Sequence, residues 1–351
     1  MKIGILTFHR ACNYGAVLQC YALQEILKSL GHDCMVIDYV QPHTELIYKG
    51  LSIKRLCMLF PHLKKIFHYL IKYQWRCHRK KIFYDFIHKY LNLTASCNEI
   101  NIPKDFDAYI IGSDQVWGMA CLGGHEDSVY MGNFQHHINS KVFTYAVSTN
   151  VHSLLQLGSK KLKDYANNID IISFREINVG KEFYNLTEKE YRIDVDPTLL
   201  TDASLWNNLI ISQWSEKNYI VVYQVRYPQG KKYLLEKAKK LAASLKCEIV
   251  DLSSKEYSPQ DFVSAIKYAR YILTSSFHAT IFSLIFRKHF CAVKLNDGHD
   301  NRYEDLLKTI GAEKLLVSGD FIPPMEEINY DLIFKNIEMM RQSSMLYLKS
   351  L

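Results

Sequence analysis

Short apolar runs alternate with amphipathic stretches along most of this chain. Residues 2–7, Lys-Ile-Gly-Ile-Leu-Thr, predict a first strand. The polar turn His9-Arg10-Ala11-Cys12-Asn13-Tyr14-Gly15 follows. Ala16, Leu18, Ala22, Leu23, Ile26 and Leu27 then recur at helical spacing until Gly31 ends the helix. Residues 34–39 make a second strand. The chain thus opens on a strand–helix–strand unit whose loop faces the side where ligands collect. Further strands are expected at 106–112, 141–147 and 169–173, with a helix at 160–166 between the last two.

The second half repeats the pattern. Strands are expected at 219–225, 247–252, 271–274, 290–293 and 315–317. Helices are expected at 231–245, 259–268, from Ser275-Ser276 onward, after Asn301, and at 326–346. This alternation predicts an α/β protein of two Rossmann-like, doubly wound domains facing across a cleft. The first domain is expected over 1–203 and the second over 204–325, with a C-terminal helix over 326–351 and the linker within 202–218.

Residues 41–100 break the alternation. Between Lys49 and Lys89 stand Lys54, Arg55, Lys64, Lys65, Lys72, Arg76, Arg79, Lys80 and Lys81, with Asp85 opposed, among many apolar and aromatic residues. The segment reads as a basic helical insert. Its 49–90 stretch suits an anionic membrane surface, and fits equally a polyanion or a solvated face over a core.

Composition narrows the class. The 351 residues are 48% hydrophobic, enough for two cores and unlike a disordered chain. Lys and Arg number 43 against 36 Asp and Glu, a mild excess concentrated in the insert; no nucleic-acid module is present and no nucleic-acid partner is expected. Nine Cys lack metal or disulfide spacing, which favours reduced thiols and a cytoplasmic protein. No apolar run reaches about 18 residues, so membrane contact would be peripheral, at the inner face of the plasma membrane.

Candidate chemistry gathers where strands end. His278 falls at the start of a helix that follows the strand Tyr271-Ile272-Leu273-Thr274, with Ser275 and Ser276 in the turn. A helix start offers free N–H groups to an anion, and a histidine there can move a proton near neutral pH. The same histidine also suits a buried helix start. Asn13 and Gly15 let backbone approach a ligand after the first strand. Asp114, in the Gly112-Ser113-Asp114 turn, is a candidate base or a cap. Arg175 has the fork that matches a carboxylate or phosphate, and also fits a surface ion pair with Glu176 or a neighbour. Lys294 and Arg302 follow the last long strand. No GxGxxG fingerprint is present, which disfavours a nicotinamide or flavin enzyme. No cofactor or metal is expected.

Read together, these motifs resemble the polysaccharide pyruvyl transferase family. The resemblance rests on Asn13-Tyr14-Gly15-Ala16 with Leu18-Gln19 and Tyr21-Ala22-Leu23, Gly112-Ser113-Asp114-Gln115-Val116-Trp117, and Ser173-Phe174-Arg175-Glu176. It continues through Asp196-Pro197-Thr198-Leu199-Leu200, Ser275-Ser276-Phe277-His278-Ala279-Thr280, and Arg302 with Leu306-Leu307. It implies a GT-B-like pair of domains, phosphoenolpyruvate as donor, and transfer of pyruvate as a cyclic ketal to a sugar of a cell-surface glycan precursor, lipid-linked or nucleotide-linked. It also implies that Arg175 and His278 meet the donor. Where Ser276-Phe277-His278 stands, members often carry Arg-Leu-His, and Lys294 or Arg302 is expected to supply that charge. His278 is the expected acid and Asp114 the expected base. Two other readings stay open: a GT-B glycosyltransferase using a nucleotide sugar, and a non-catalytic glycan-binding assembly partner.

Overall fold

The computed structural model describes residues 1–48, 71, 73–227, 233–253, 257–296 and 300–351. They divide into two units, Met1–Pro197 with Tyr347–Leu351, and Thr198–Leu346. Each is built on one parallel sheet, as the alternation of strands and helices requires.

In the first unit, β1 (Lys2–Leu6), β2 (Asp33–Val36), β3 (Ala108–Gly112) and β4 (Lys141–Tyr145) lie in the order β2-β1-β3-β4, all parallel. β5 (Ser173–Phe174) and β6 (Arg192–Ile193) pair in parallel with each other and continue the sheet through Phe143–Ile171 and Val147–Phe174 bridges. The central strands are apolar on both faces because helices cover both. Gly4 packs closely here: a Cβ there would meet Ile37 Cδ1 at 2.7 Å, so that side chain would have to shift. β2 stops at Val36 rather than running to residue 39. Beyond it Asp38 N donates to Thr94 Oγ1 (3.0 Å), and Tyr39 bridges Cys97, so 91–97 takes over as a sheet edge.

The second unit contains β7 (Tyr219–Tyr223), β8 (Glu248–Asp251), β9 (Ile272–Thr274), β10 (Phe290–Val293) and β11 (Leu316–Val317), ordered β11-β10-β9-β7-β8 and all parallel. One face buries Ile220, Val222, Leu273 and Cys291 under Leu234, Ala238 and Leu241 of the helix Tyr233–Leu245. Against Tyr223, Phe262 packs with ring centroids 5.1 Å apart, and Phe282 joins Phe262 at 6.0 Å and Trp206 at 4.6 Å. The polar segment 202–218 is therefore anchored by two buried indoles, Trp206 and Trp214, the latter donating to Asp261 Oδ1 (3.0 Å).

Both sheets follow one plan. The second strand of each lies on one side of the first, and the third and later strands on the other. Successive connections leave in opposite directions at β1/β3 and again at β7/β9, which opens a crevice at the carboxyl ends of those strands.

Of the basic insert, residues 49–70 and 72 lie outside the described residues, and with them Lys49, Lys54, Arg55, Lys64, Lys65 and Lys72. The described part is the helix Tyr73–Tyr90, which seats Phe83, Phe86 and Ile87 on the first unit. Phe83 meets Tyr14 at 5.3 Å and Phe86 meets Tyr21 at 6.4 Å. Arg79 lies over the Tyr14 ring and donates through Nη2 to Cys12 O (3.0 Å), while Lys80 pairs with Glu45 (3.0 Å). Part of the insert's charge is thus spent inside the fold. Tyr73, Trp75, Tyr84, Lys81 and Lys89 remain exposed. No described helix is long and apolar enough to cross a membrane.

Candidate active site

The carboxyl edge of the first sheet is a polar layer assembled from five strand ends. After β1, Asn13 caps the helix Tyr14–Ser29, its side chain accepting from Gly15 N (2.9 Å) and Ala16 N (3.4 Å). Asn13 and Gly15 are thus occupied in starting the helix, and the same turn lies at the β1/β3 crevice. Thr7 Oγ1 donates to Ser113 O (3.1 Å) and ties the two strand ends together. Asp114 sits in the left-handed region (φ 66°), a costly conformation for a residue with a Cβ. Its Oδ1 accepts from Gln115 N (2.9 Å), and its carbonyl accepts from Ser148 N (2.9 Å) at the end of β4.

Arg175 follows β5 and is held by carboxylates. Nη1 contacts Asp196 Oδ2 (2.5 Å) and Nε contacts Glu176 Oε1 (3.3 Å), with the side chains of all three no more than 5% exposed. Ser113 Oγ donates to Asp196 Oδ2 (3.3 Å), and Ser148 Oγ to Glu176 Oε1 (2.7 Å). Burial works against the charge on Arg175; the fields of Glu176, Asp196 and Asp114 overcome it and raise its pKa. The ion pair that sequence allowed with Glu176 is present, buried rather than superficial, and includes a second carboxylate.

Nearby, His9 and Arg10 converge on Asp38. His9 Nε2 lies 2.8 Å from Oδ1, and Arg10 Nε and Nη2 donate to the two oxygens at 2.7 Å each. Burial pushes the Asp38 carboxyl up, and the hydrogen bonds from His9 and Arg10 more than reverse it, leaving it well below the usual carboxylate range. Cys12, in the same loop, is no nucleophile: burial lifts its thiol to about 11.

The second sheet presents its own carboxyl edge. Ser276 caps the helix Phe277–Ile285, accepting from Ala279 N (3.4 Å), and Thr274 Oγ1 accepts from Ser276 N (3.0 Å). Ser275 ties β9 to β7: its N donates to Tyr223 O (3.1 Å), and its Oγ accepts from Val225 N (3.3 Å). His278 lies in the first turn of that helix, 8% exposed, with Phe277 edge-on at 5.2 Å. Ser275, Ser276 and His278 therefore share one turn at the β7/β9 crevice. Lys294, just past β10, is paired with Glu304 Oε2 (2.7 Å), and hydrogen bonds from Lys294 and Lys308 hold the Glu304 carboxyl below its ordinary value. Arg302 is half-buried in the helix Asn301–Thr309.

Two residues of this edge escape a sequence reading. Gln224 follows β7 and is 3% exposed, with neither Oε1 nor Nε2 hydrogen-bonded. Arg226, two residues on, pairs with Asp300 Oδ1 (3.0 Å); Asp300 Oδ2 also accepts from Leu295 N (2.9 Å) and Asn296 N (2.6 Å) and so shapes the loop after β10. Their one sequence signal is position, directly after the strand that borders the crevice.

The polysaccharide pyruvyl transferase family profile matches residues 13–297, from the Asn13 cap through the Lys294 loop. The chain belongs to the polysaccharide pyruvyl transferase family. The matched span of this pyruvyl transferase family member takes in Asn13, Asp114, Arg175, Gln224 and the Ser275–His278 turn, while Thr7, His9, Arg10, Asp300 and Arg302 lie outside it. No curated protein matches it in sequence. Among solved structures, the S. aureus MnaA–UDP co-structure is similar to it at 10% identity and a TM-score of 0.47, covering 99% of this chain and 90% of that one. The Methanocaldococcus jannaschii UDP-GlcNAc 2-epimerase with UDP-GlcNAc and UDP gives 12% and 0.42, over 97% and 93%. The E. coli heptosyltransferase WaaC with ADP-2-deoxy-2-fluoro heptose gives 12% and 0.35, over 97% and 99%.

Proposed function

We propose that this chain transfers pyruvate from phosphoenolpyruvate to a sugar of a cell-surface polysaccharide precursor, closing a cyclic ketal across two hydroxyls. Membership of the family, over a span that takes in Asp114, Arg175 and His278, is the observation that carries this reading. In this reading His278 protonates the enol carbon C3 of the donor, so that C2 becomes electrophilic. One sugar hydroxyl attacks C2, phosphate departs, and the second hydroxyl closes the ring. Asp114 is the proposed base. The donor's phosphate and carboxylate call for cations and N–H groups, which the helix start at Phe277 and the cations Arg226, Lys294 and Arg302 are suited to supply. The Gln224 amide adds an open donor and an open acceptor at the same edge. Exposed Tyr73, Trp75 and Tyr84 beside Lys81 and Lys89 suit contact with an anionic membrane, where a lipid-linked acceptor would be met.

The test is incubation of the full chain with phosphoenolpyruvate and a panel of lipid-linked and nucleotide-linked glycans. Release of phosphate together with acceptor mass increased by a pyruvyl ketal is expected. Stabilisation by a nucleoside diphosphate, with none by phosphoenolpyruvate, would instead favour a nucleotide-sugar glycosyltransferase.

A further inference from the structure

Within the second unit, one ion pair reaches across a strand. Arg226 follows β7, and its Nη2 donates to Asp300 Oδ1 at 3.0 Å. Asp300 is pinned at the end of β10, where its Oδ2 accepts from Leu295 N (2.9 Å) and Asn296 N (2.6 Å). The Tyr303 hydroxyl, 3.0 Å from Val293 O, also contacts Oδ1. In the sheet, β9 lies between β7 and β10. The pair therefore passes over the carboxyl end of β9, where Ser275 and Ser276 lead into the helix Phe277–Ile285 and His278 stands in its first turn. The chain leading to Arg226 is tied to that turn, since Val225 N donates to Ser275 Oγ (3.3 Å).

The two partners are unequally committed. If Arg226 turns away, Asp300 keeps two backbone donors and the Tyr303 hydroxyl, so its charge is not stranded. Arg226 holds the one oxygen, whereas Arg10 grips both oxygens of Asp38. Its side chain is also 23% exposed, open to a ligand from solvent. Lys294 is placed differently: it is drawn to Glu304 in the first turn of the helix Asn301–Thr309, with Lys308 on the same carboxylate. Gln224, two residues before Arg226, is 3% exposed with neither amide atom hydrogen-bonded, so polar groups collect at this end of β7 beyond what the fold uses.

We propose that Arg226 is the cation of the second unit that takes the donor's phosphate or carboxylate, and that Asp300 is the counter-ion it exchanges for that group. The inference rests on the proposed pyruvyl transfer and names the cation of its donor site. Before the donor binds, Asp300 holds Arg226 over the β9 turn. An anion at the helix start, met by its N–H groups, then competes with Asp300 for the guanidinium. A single carboxylate only equals the group it must displace. A phosphate and a carboxylate on one molecule exceed it, so the pair favours a multiply charged donor over a monoanion.

The experiment compares wild type, Arg226→Ala, Asp300→Asn and the double variant as full-length proteins, with folding checked by near-ultraviolet circular dichroism. Affinities for phosphoenolpyruvate and inorganic phosphate are measured by calorimetry at constant ionic strength. Arg226→Ala should weaken phosphoenolpyruvate about tenfold or more. Asp300→Asn removes the competing charge and should tighten it about fivefold. In the Arg226→Ala background the same Asp300 change should alter affinity by less than about twofold, because its effect acts through Arg226. The Arg226 Nε–H resonance, assigned by its loss in Arg226→Ala, gives a readout that needs no change at Asp300 and should move when phosphoenolpyruvate is added. The proposal is overturned if Arg226→Ala binds phosphoenolpyruvate as wild type does, or if folded Asp300→Asn binds it no more tightly. It is overturned equally if Asp300→Asn acts the same with and without Arg226, or if the resonance stays in place. A wild type that binds inorganic phosphate but no phosphoenolpyruvate, with the same dependence on Arg226 and Asp300, would instead sink the pyruvyl-transfer reading and leave the cation standing. A wild type that binds neither overturns both.

Discussion

Asp38 carries a charge that the first unit keeps inside its polar layer, bound by His9 and both nitrogens of the Arg10 fork. Its folded pKa lies below the unfolded value of about 3.9, so its contribution to stability is complete above that value and fades as pH falls toward the depressed one. Asp38→Asn should cost about 3 kcal/mol at pH 7 by urea unfolding, because Arg10 loses its carboxylate. Between pH 5 and 3 the wild type should lose more stability than the variant. At the same scale, His278→Ala should slow phosphate release by about 10²–10⁴-fold with an unchanged circular dichroism spectrum, if the imidazole protonates C3. Of the two carboxylates that hold Arg175, the sequence named only Glu176 as a partner. Glu176 is adjacent in the chain, whereas Asp196 reaches Arg175 because β6 pairs with β5, a register that no local pattern announces.

Among elements, the helix Pro259–Tyr268 is the most completely specified by local chemistry. Ser258 and Asp261 form a reciprocal capping box with Pro259 at its first turn, and its bounds match those expected from the sequence. Ser258→Ala should lower stability by about 1 kcal/mol, read as a shift in the urea midpoint with unchanged slope. Strands were less legible. β9 and β10 are short apolar runs between clear breaks, and fall within a residue of expectation. β5 reduces to Ser173–Phe174, because Ile171 reaches its neighbour by a lone bridge to Phe143. Pairing partners far apart in sequence decide such ends, and periodicity cannot report them.

For the molecule as a whole, alternation of strands and helices was enough to give two parallel α/β sheets, because parallel strands require covered crossovers. The destination of the last helix was not. Tyr330–Lys349 gives its final residues to the first unit, where Tyr347 OH donates to Thr144 O (2.9 Å) and Arg192 lies 4.1 Å from the Tyr347 ring centroid. Removing residues 347–351 should therefore destabilise the first unit, seen as faster hydrogen exchange at β4, while β9 and β10 retain protection. The most direct test of pyruvyl transfer is mass spectrometry and NMR of glycan from reactions run in D2O with phosphoenolpyruvate and lipid-linked precursors from cells lacking this gene. The expected product carries a pyruvate ketal whose methyl group has gained one deuterium from solvent. Precursor recovered without a ketal, while an added nucleotide sugar is transferred to it, would contradict pyruvyl transfer as the reaction of this chain.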